Sequence, residues 1–193
     1  MDGQKLLVLS DTHGNVSALK AVLNWAKSML PGGLQSGGAT GAAISGAISA
    51  AVFLGDGVQD LRPAAVAADF FCEWKLVRGN NDFEFSMPET AVLDFGGHRF
   101  FLCHGHRYSL YNGYYTLAAA ARNMEADAAL FGHTHVPCLK SADDLLLINP
   151  GSIGSPRSRI GASFAVIECT PGKPLEVEFW GIELRGKIHK LKV

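Results

Sequence analysis

Apolar runs and helical patterns alternate along the first part of the chain. Three short apolar runs predict strands, at 6–9, 52–54 and 75–77. Apolar residues that recur at helical spacing predict two helices between these strands, over 16–30 and 58–71. The resulting β-α-β-α-β order is typical of a parallel sheet.

The second half of the chain changes to a hairpin pattern. Apolar runs at 91–95 and 99–102 flank Gly96 and Gly97, which is a signature of a tight turn. A helix is predicted at 115–124, and further strands at 128–131, 137–139, 145–148, 163–167 and 175–180. Parallel units followed by hairpins predict an α/β fold, in which helices cover two stacked mixed sheets as a four-layer α/β/β/α sandwich.

A stretch at about 31–50 is rich in Gly, Ala and Ser and interrupts this order. Connections of more than roughly 12 residues are uncommon in compact domains. We therefore interpret the stretch as a functionally neutral insertion, with an additional helix of small residues as the alternative.

The chain has 193 residues, 48% of them hydrophobic, and this predicts a single domain over 1–193.

Composition argues against several classes of protein. Lys and Arg number 17 and Asp and Glu 18, and no basic stripe offers a footprint for nucleic acid. No apolar stretch approaches the roughly 20 residues of a membrane span, so no membrane association is expected. The four cysteines form no C-x-x-C pair, which predicts reduced thiols. With an N-terminus that resembles a strand rather than a signal peptide, a cytoplasmic location is expected.

Side chains that can bind metal follow five of the predicted strands. Because ligands gather beyond the carboxyl ends of strands in open α/β sheets, we expect these loops to converge. Each motif alone is also explained by ordinary caps and turns, but their common position after a strand predicts a shared site. In chain order the residues are Asp11 and His13, Asp56, Asn80 with Asn81 and Asp82, His104 and His106, and His133 and His135.

This set offers carboxylate, amide and imidazole ligands and no thiolate. Oxygen and nitrogen ligands of this kind suit manganese, iron, zinc or cobalt. Two carboxylates, one amide and four imidazoles among these residues make seven ligands, more than one tetrahedral site can use. They suffice for two metals about 3.5–4 Å apart if a carboxylate bridges them, which is an arrangement that clamps a phosphoryl group.

The motifs SDTHGN, FLGD, VRGNND, MPE, HGH, FGHTH and INPGS resemble those of the calcineurin-like metallophosphoesterase superfamily. Within it, the chain is most similar to the small YfcE-like phosphodiesterase branch, which also contains the scaffold subunit of retromer. The resemblance covers nearly the whole chain apart from the insertion and the last dozen residues. It implies two sets of metal ligands with Asp56 as a bridge: Asp11, His13 and His135 for the first metal, and Asn80, His104 and His133 for the second.

The resemblance also implies an activity. A hydroxide activated by two divalent metal ions would hydrolyse a small phosphodiester to a phosphomonoester and an alcohol. Manganese is the expected metal, with zinc, iron, nickel, cobalt and magnesium as alternatives, and a homo-oligomer stays open. The alternative functions are a non-catalytic, protein-binding scaffold and a phosphomonoesterase or protein phosphatase. The retromer subunit departs from the ligand pattern at several positions, whereas this chain keeps a competent side chain at each.

One position departs from the family pattern. Many members carry a histidine after the metal-binding asparagine, and that histidine is taken to protonate the leaving oxygen. Asn81 stands there in this chain, and an amide can contact substrate but cannot transfer a proton at neutral pH. His106 is the candidate substitute, with orientation of its loop as the alternative role. Arg157 is a candidate substrate contact or a solvated charge, Arg78 is expected to form an ion pair, and Asp82 to bind a histidine or a backbone amide.

Overall fold

The computed structural model describes residues 3–29, 48–183 and 185–193, which form two β-sheets and three α-helices. The helices are α1 Val16–Lys27, α2 Val58–Ala68 and α3 Tyr115–Asn123, and a 3-10 turn covers Leu110–Asn112. The strands are β1 Gln4–Leu9, β2 Ile48–Phe53, β3 Glu73–Leu76, β4 Thr90–Phe95, β5 His98–Cys103, β6 Ala128–Phe131, β7 Cys138–Ala142, β8 Leu145–Asn149, β9 Ala162–Cys169, β10 Glu176–Ile182 and β11 Ile188–Lys190. None of the helices in these ranges combines the length and the apolar character needed to span a bilayer.

The two sheets are mixed and stacked, as the sequence predicts. The first has the strand order β11-β10-β9-β1-β2-β3, and the second has the order β4-β5-β6-β8-β7. Strands β1, β2 and β3 are parallel to one another, and so are β5, β6 and β8. Helices α1 and α2 cover the outer face of the first sheet, and α3 covers that of the second. The four-layer α/β/β/α sandwich is therefore confirmed.

The alternation of side chains along β1 explains why this strand is apolar throughout. Leu6 and Val8 point into the layer between the two sheets, where they meet Phe100 and Ile148. Leu7 and Leu9 point to the opposite face and pack under α1 and α2. A strand that is buried on both faces has no position that favours a polar residue, so its hydrophobic run is continuous.

The boundaries of some elements differ from the predictions. Helix α2 ends at Ala68 rather than at 71, because Asp69 adopts the left-handed conformation that closes the helix, and its N–H bonds back to the last turn. Helix α1 ends at Lys27, where Ser28 caps it. Residues 48–50 belong to β2 and not to the insertion, and the rest of that stretch, up to residue 47, lies outside the described residues. Strand β11 and the 3-10 turn were not predicted.

The topology brings six strand ends to one edge of the sandwich. Parallel strands share the position of their carboxyl ends, so the loops after β1, β2, β3, β5, β6 and β8 emerge together. Hydrogen bonds join these loops: the Asp11 N–H donates to the Gly55 carbonyl at 3.0 Å, and the Gly132 N–H donates to the His104 carbonyl at 2.9 Å. This edge carries the predicted site.

A candidate metal centre

Five of the seven predicted ligands are in direct contact at this edge. Two groups of side chains each place their ligand atoms within 4.8 Å of one another: Asp11, His13 and His135 form one group, and Asp11, Asp56 and His104 form the other. Asp11 Oδ1 lies 3.1 Å from His135 Nε2, and His104 Nε2 lies 3.3 Å from Asp56 Oδ2. The same Asp56 oxygen lies 3.7 Å from His13 Nε2. Asp11 thus belongs to both groups, and Asp56 Oδ2 lies near a histidine of each.

The other two predicted ligands stand further out. The ring centroid of His133 lies 5.2 Å from that of His104, and its backbone N–H donates to Asp11 Oδ2 at 3.1 Å. Asn80 lies in the turn beyond β3 with an exposed side chain, which makes no hydrogen bond to any residue within the described ranges. The structure thus brings His133 to the edge of the cluster and leaves the Asn80 amide open to solvent beside it.

Two of the histidines are oriented by backbone carbonyls. His104 Nδ1 lies 2.8 Å from the Leu54 carbonyl, and His135 Nδ1 lies 2.5 Å from the Ser155 carbonyl. A carbonyl only accepts hydrogen bonds, so each Nδ1 carries the proton and each Nε2 presents its lone pair to the cluster. This arrangement is typical of metal-binding histidines, whose second ring nitrogen donates to a carbonyl or carboxylate.

The backbone at the predicted ligands is strained. Among the described residues, ten other than glycine have a positive φ, and five of them are predicted metal ligands. These five are Asp11 (φ 56°), His13 (44°), Asp56 (58°), His133 (66°) and His135 (59°). The left-handed region is unfavourable for side chains with a Cβ, and such strain concentrates at functional sites. The fold therefore holds these side chains in place against their local backbone preference.

The electrostatics of the cluster favour positive charge at its centre. Burial alone would raise the pKa of Asp11, but contacts with His13, His135 and His104 outweigh it and hold this pKa well below its usual value. Burial likewise opposes ionisation of Asp56, yet His104 and Asn81 lower its pKa to about 2. In return, the carboxylates raise the pKa of His13, and at His104 they overcome the opposing effect of burial. Both carboxylates are therefore ionised at neutral pH.

Two buried polar atoms in this cluster lack a hydrogen-bond partner in the described part of the chain: Asp11 Oδ1 and His104 Nε2. Buried polar atoms are otherwise almost always paired, so such atoms call for a ligand. A carboxylate oxygen and an imidazole nitrogen that point to a common centre are ligands of divalent cations such as manganese, zinc or iron. The residues present therefore fit a divalent metal site.

Asp82 stabilises the loops of the site by accepting hydrogen bonds from backbone N–H groups. Its Oδ1 accepts hydrogen bonds from the N–H groups of Gly57 and Val58 at 2.8 and 2.9 Å. Its Oδ2 accepts those of Asp56 and Gly79 at 2.8 and 2.7 Å. The carboxylate is buried and joins the Asp56 loop to the Asn80 loop. Of the two partners predicted for Asp82, a histidine or a backbone amide, the structure shows backbone amides.

We expect Asp82→Asn to destabilise the chain by about 3 kcal/mol, because the amide NH₂ would face two N–H donors and two hydrogen bonds to a charged group would be lost. Urea unfolding in the presence of a chelator measures this change without a contribution from metal. Asp94→Asn is the matched control, since Asp94 is exposed and, among the described residues, its carboxylate bonds only to Arg99. Equal midpoints for wild type and Asp82→Asn would show that Asp82 does not anchor the loops.

The two residues predicted to serve catalysis, Asn81 and His106, border the cluster. Asn81 binds Asp56 twice, through its backbone N–H at 2.8 Å and its side-chain Nδ2 at 2.6 Å. The His106 ring centroid lies 5.6 Å from that of His104. Burial lowers the pKa of His106, and the positive charge of His104 lowers it further. His106 Nδ1 is buried and finds no hydrogen-bond partner among the described residues.

The charged residues near the site differ in their partners. Arg78 forms the expected ion pair, with Glu89 at 2.6 Å, and Arg107 binds the same carboxylate. Arg157 instead donates from Nη1 to the Tyr111 hydroxyl at 3.0 Å, and its backbone N–H donates to the His135 carbonyl. The candidate substrate contact Arg157 is therefore held at the edge of the cluster.

Sequence reasoning missed three residues that shape the site: Asp60, Glu89 and Tyr111. Asp60 Oδ2 accepts hydrogen bonds from Thr12 Oγ1 at 2.5 Å and from the Gly14 N–H at 2.8 Å, and so fixes the loop after β1. An aspartate in the first turn of α2, directly after the Asp56 motif, was a signal for such a role. Glu89 ends the MPE motif, which marked its position but not its arginine partners. Tyr111 carries no comparable signal, because its partner Arg157 is 46 residues away.

The chain is similar to several known proteins. It is 27% identical over 170 residues to the phosphodiesterase YfcE of Escherichia coli (strain K12), a match that covers 85% of this chain and 87% of that protein. It is 31% identical over 94 residues to the probable metallophosphoesterase YsnB of Bacillus subtilis, and this match spans 49% of this chain and 56% of that protein. Wild-type Vps29 of Entamoeba histolytica, solved in complex with Zn²⁺, has the same fold, with a TM-score of 0.70 and 20% identity over 98% of both chains.

The sequence profile of a protein family also matches the chain. The calcineurin-like phosphoesterase superfamily domain matches residues 5–172, a range that extends from β1 to beyond β9 and contains every predicted ligand. The matched range and the geometry of the metal centre lead to one assignment. The chain belongs to the calcineurin-like phosphoesterase superfamily.

Proposed function

We propose that the chain is a phosphodiesterase that works with two divalent metal ions at this centre. The observation that carries the proposal is a cluster of buried ligand atoms: His104 Nε2 lies 3.9 Å from Asp11 Oδ1 and 3.3 Å from Asp56 Oδ2. Neither His104 Nε2 nor Asp11 Oδ1 has a hydrogen-bond partner among the described residues. A lone structural ion would not need a second group of ligands, Asp11, His13 and His135, next to Asp11, Asp56 and His104. The likeness to the phosphodiesterase YfcE supports diesters as the substrate class.

Each side chain has a role in holding this centre. Asp56 would serve both ions, because its Oδ2 faces His13 as well as His104. The remaining ligands divide as Asp11, His13 and His135 for one ion and Asn80, His104 and His133 for the other. Two divalent ions would supply the positive charge that a phosphoryl group requires and would activate the attacking water.

Asn81 has two roles in this proposal. One N–H of its side-chain amide donates to Asp56 and fixes the orientation of the carboxylate. A primary amide has two N–H donors, so the second can bind a phosphate oxygen of the substrate. Asn81 cannot transfer a proton to the leaving oxygen. His106 lies beside the cluster and is the candidate donor, with orientation of its loop as the competing role.

The surroundings of the centre favour a small substrate. His13, Asn80 and Asn81 are exposed, so the site is open on the side of the loops after β1 and β3.

We propose manganese as the metal, a cytoplasmic location and a single domain over 1–193. A homo-oligomer is compatible with this arrangement.

A panel of substrates tests the proposal. The protein is stripped with a chelator, reloaded with manganese, zinc, iron, nickel, cobalt or magnesium, and assayed on phosphodiesters and on phosphomonoesters. We expect hydrolysis of diesters that depends on added metal and exceeds that of monoesters. Faster hydrolysis of monoesters would favour a phosphomonoesterase, and binding of metal without hydrolysis of any ester would favour a protein-binding scaffold.

A further inference from the structure

Tyr111 and Arg157 form a pair at the edge of the metal centre. Tyr111 lies in the 3-10 turn and is 69% exposed. Its ring centroid is 6.0 Å from that of His133, with an angle of 61° between the rings. Its hydroxyl accepts the 3.0 Å hydrogen bond from Arg157 Nη1. An aromatic ring is therefore held open to solvent beside a predicted metal ligand.

Both members of the pair are anchored to loops of the centre. Leu110 precedes Tyr111, is buried, and packs so close to Gly105 that a Cβ on this glycine would lie 2.7 Å from Leu110 Cδ1. The 3-10 turn is thereby attached to the loop that carries His104. Arg157 is attached to the other loop, because its N–H donates to the His135 carbonyl at 3.1 Å. The position of the pair relative to the centre is thus fixed from two sides.

The chemistry of the pair suits an organic phosphate. Within the described part of the chain no carboxylate lies within ion-pair distance of Arg157, unlike Arg78 and Arg107, which share Glu89. The hydrogen bond to Tyr111 uses one of the five N–H donors of the guanidinium, so the others can bind a phosphate oxygen. The exposed ring offers a planar surface on which another aromatic group can stack.

We propose that Tyr111 and Arg157 form a subsite that selects phosphodiesters whose retained group, the one left on the phosphate after hydrolysis, is planar and aromatic. Tyr111 stacks on this group, and Arg157 binds a non-bridging oxygen of the phosphate. The inference rests on the proposed phosphodiesterase function and adds a substrate class to it.

Binding measured by calorimetry tests the subsite without turnover. We compare phenyl phosphate with ethyl phosphate on the manganese-loaded protein and expect the phenyl ester to bind about tenfold more tightly. Tyr111→Ala should remove this preference, and Tyr111→Phe should keep it because the ring remains. Arg157→Gln should weaken both phosphates about fivefold, since both have the same phosphate group. Tyr115→Ala is the control, because Tyr115 is also highly exposed and, in the described part of the chain, forms no hydrogen bond or ring contact with the centre.

A kinetic comparison separates this inference from the proposed function. Phenyl 4-nitrophenyl phosphate and ethyl 4-nitrophenyl phosphate share one leaving group and differ only in the group that is retained. Tyr111→Ala should raise KM about tenfold for the phenyl diester alone, with kcat unchanged. Hydrolysis of neither diester would contradict the proposed function, while the calorimetry still decides on the subsite. Equal affinity of the wild type for the two phosphates, binding of neither, or a preference that survives Tyr111→Ala would overturn the subsite.

Discussion

Asp56→Ala will abolish metal binding at both positions, and metal-dependent hydrolysis will fall by more than about 10³-fold. The physical reason is that Asp56 Oδ2 lies close to two histidines, 3.7 Å from His13 Nε2 and 3.3 Å from His104 Nε2. Loss of a shared ligand weakens both ions, and the ions supply several kcal/mol of transition-state stabilisation. Elemental analysis of the purified variant, together with its rate of diester hydrolysis, measures both effects.

The control for this variant is Asp94→Ala. It removes an aspartate that is exposed and paired with Arg99 at the opposite end of the second sheet, so metal content and rate should equal those of the wild type. Asp56→Ala with two bound ions would exclude Asp56 as a bridge. A variant with one ion would show that the two positions do not share this ligand.

The rate will depend steeply on the pKa of the leaving group. Asn81 occupies the position from which many family members donate a proton, and an amide cannot do so. The departing oxygen must then carry its own negative charge. Aryl diesters that release stable phenolates should be cleaved well, and alkyl diesters slowly, with a gap that widens as the pKa of the alcohol rises. Rates across a series of diesters with graded leaving groups measure the slope.

Two variants decide which residue governs this slope. Asn81→His should accelerate the poor leaving groups by up to roughly 10²-fold and leave aryl diesters nearly unchanged. His106→Ala should slow alkyl and aryl diesters equally if His106 only orients its loop. A shallow wild-type slope that steepens in His106→Ala would identify His106 as the proton donor and would contradict hydrolysis without a general acid.

The sequence predicted the fold because its signals are local. Strands β1 and β6 were predicted from continuous apolar runs, which arise because both strands are buried on two faces. Gly96 and Gly97 marked the turn between β4 and β5. The end of α2 was not predictable in this way. It depends on Asp69, whose left-handed conformation closes the helix while Phe70 packs into the core.

The site was predictable as a set of residues but not as a set of contacts. Strand ends located the ligands because the topology of parallel strands brings their carboxyl ends to one edge. Asn80 and Asn81 are adjacent in sequence, and only the structure shows that Asn81 binds Asp56 while the Asn80 side chain is exposed. The hydrogen bond between Arg157 and Tyr111 joins residues 46 positions apart and follows from tertiary packing alone.

The most direct test of the metal centre is a titration of the chelator-stripped protein with Mn²⁺, followed by the rate of hydrolysis of bis(4-nitrophenyl) phosphate. We expect a negligible rate without metal and a rise that saturates when two ions are bound per chain. Saturation at one ion per chain, or no hydrolysis at any concentration of Mn²⁺, would contradict a phosphodiesterase with two metals bridged by Asp56.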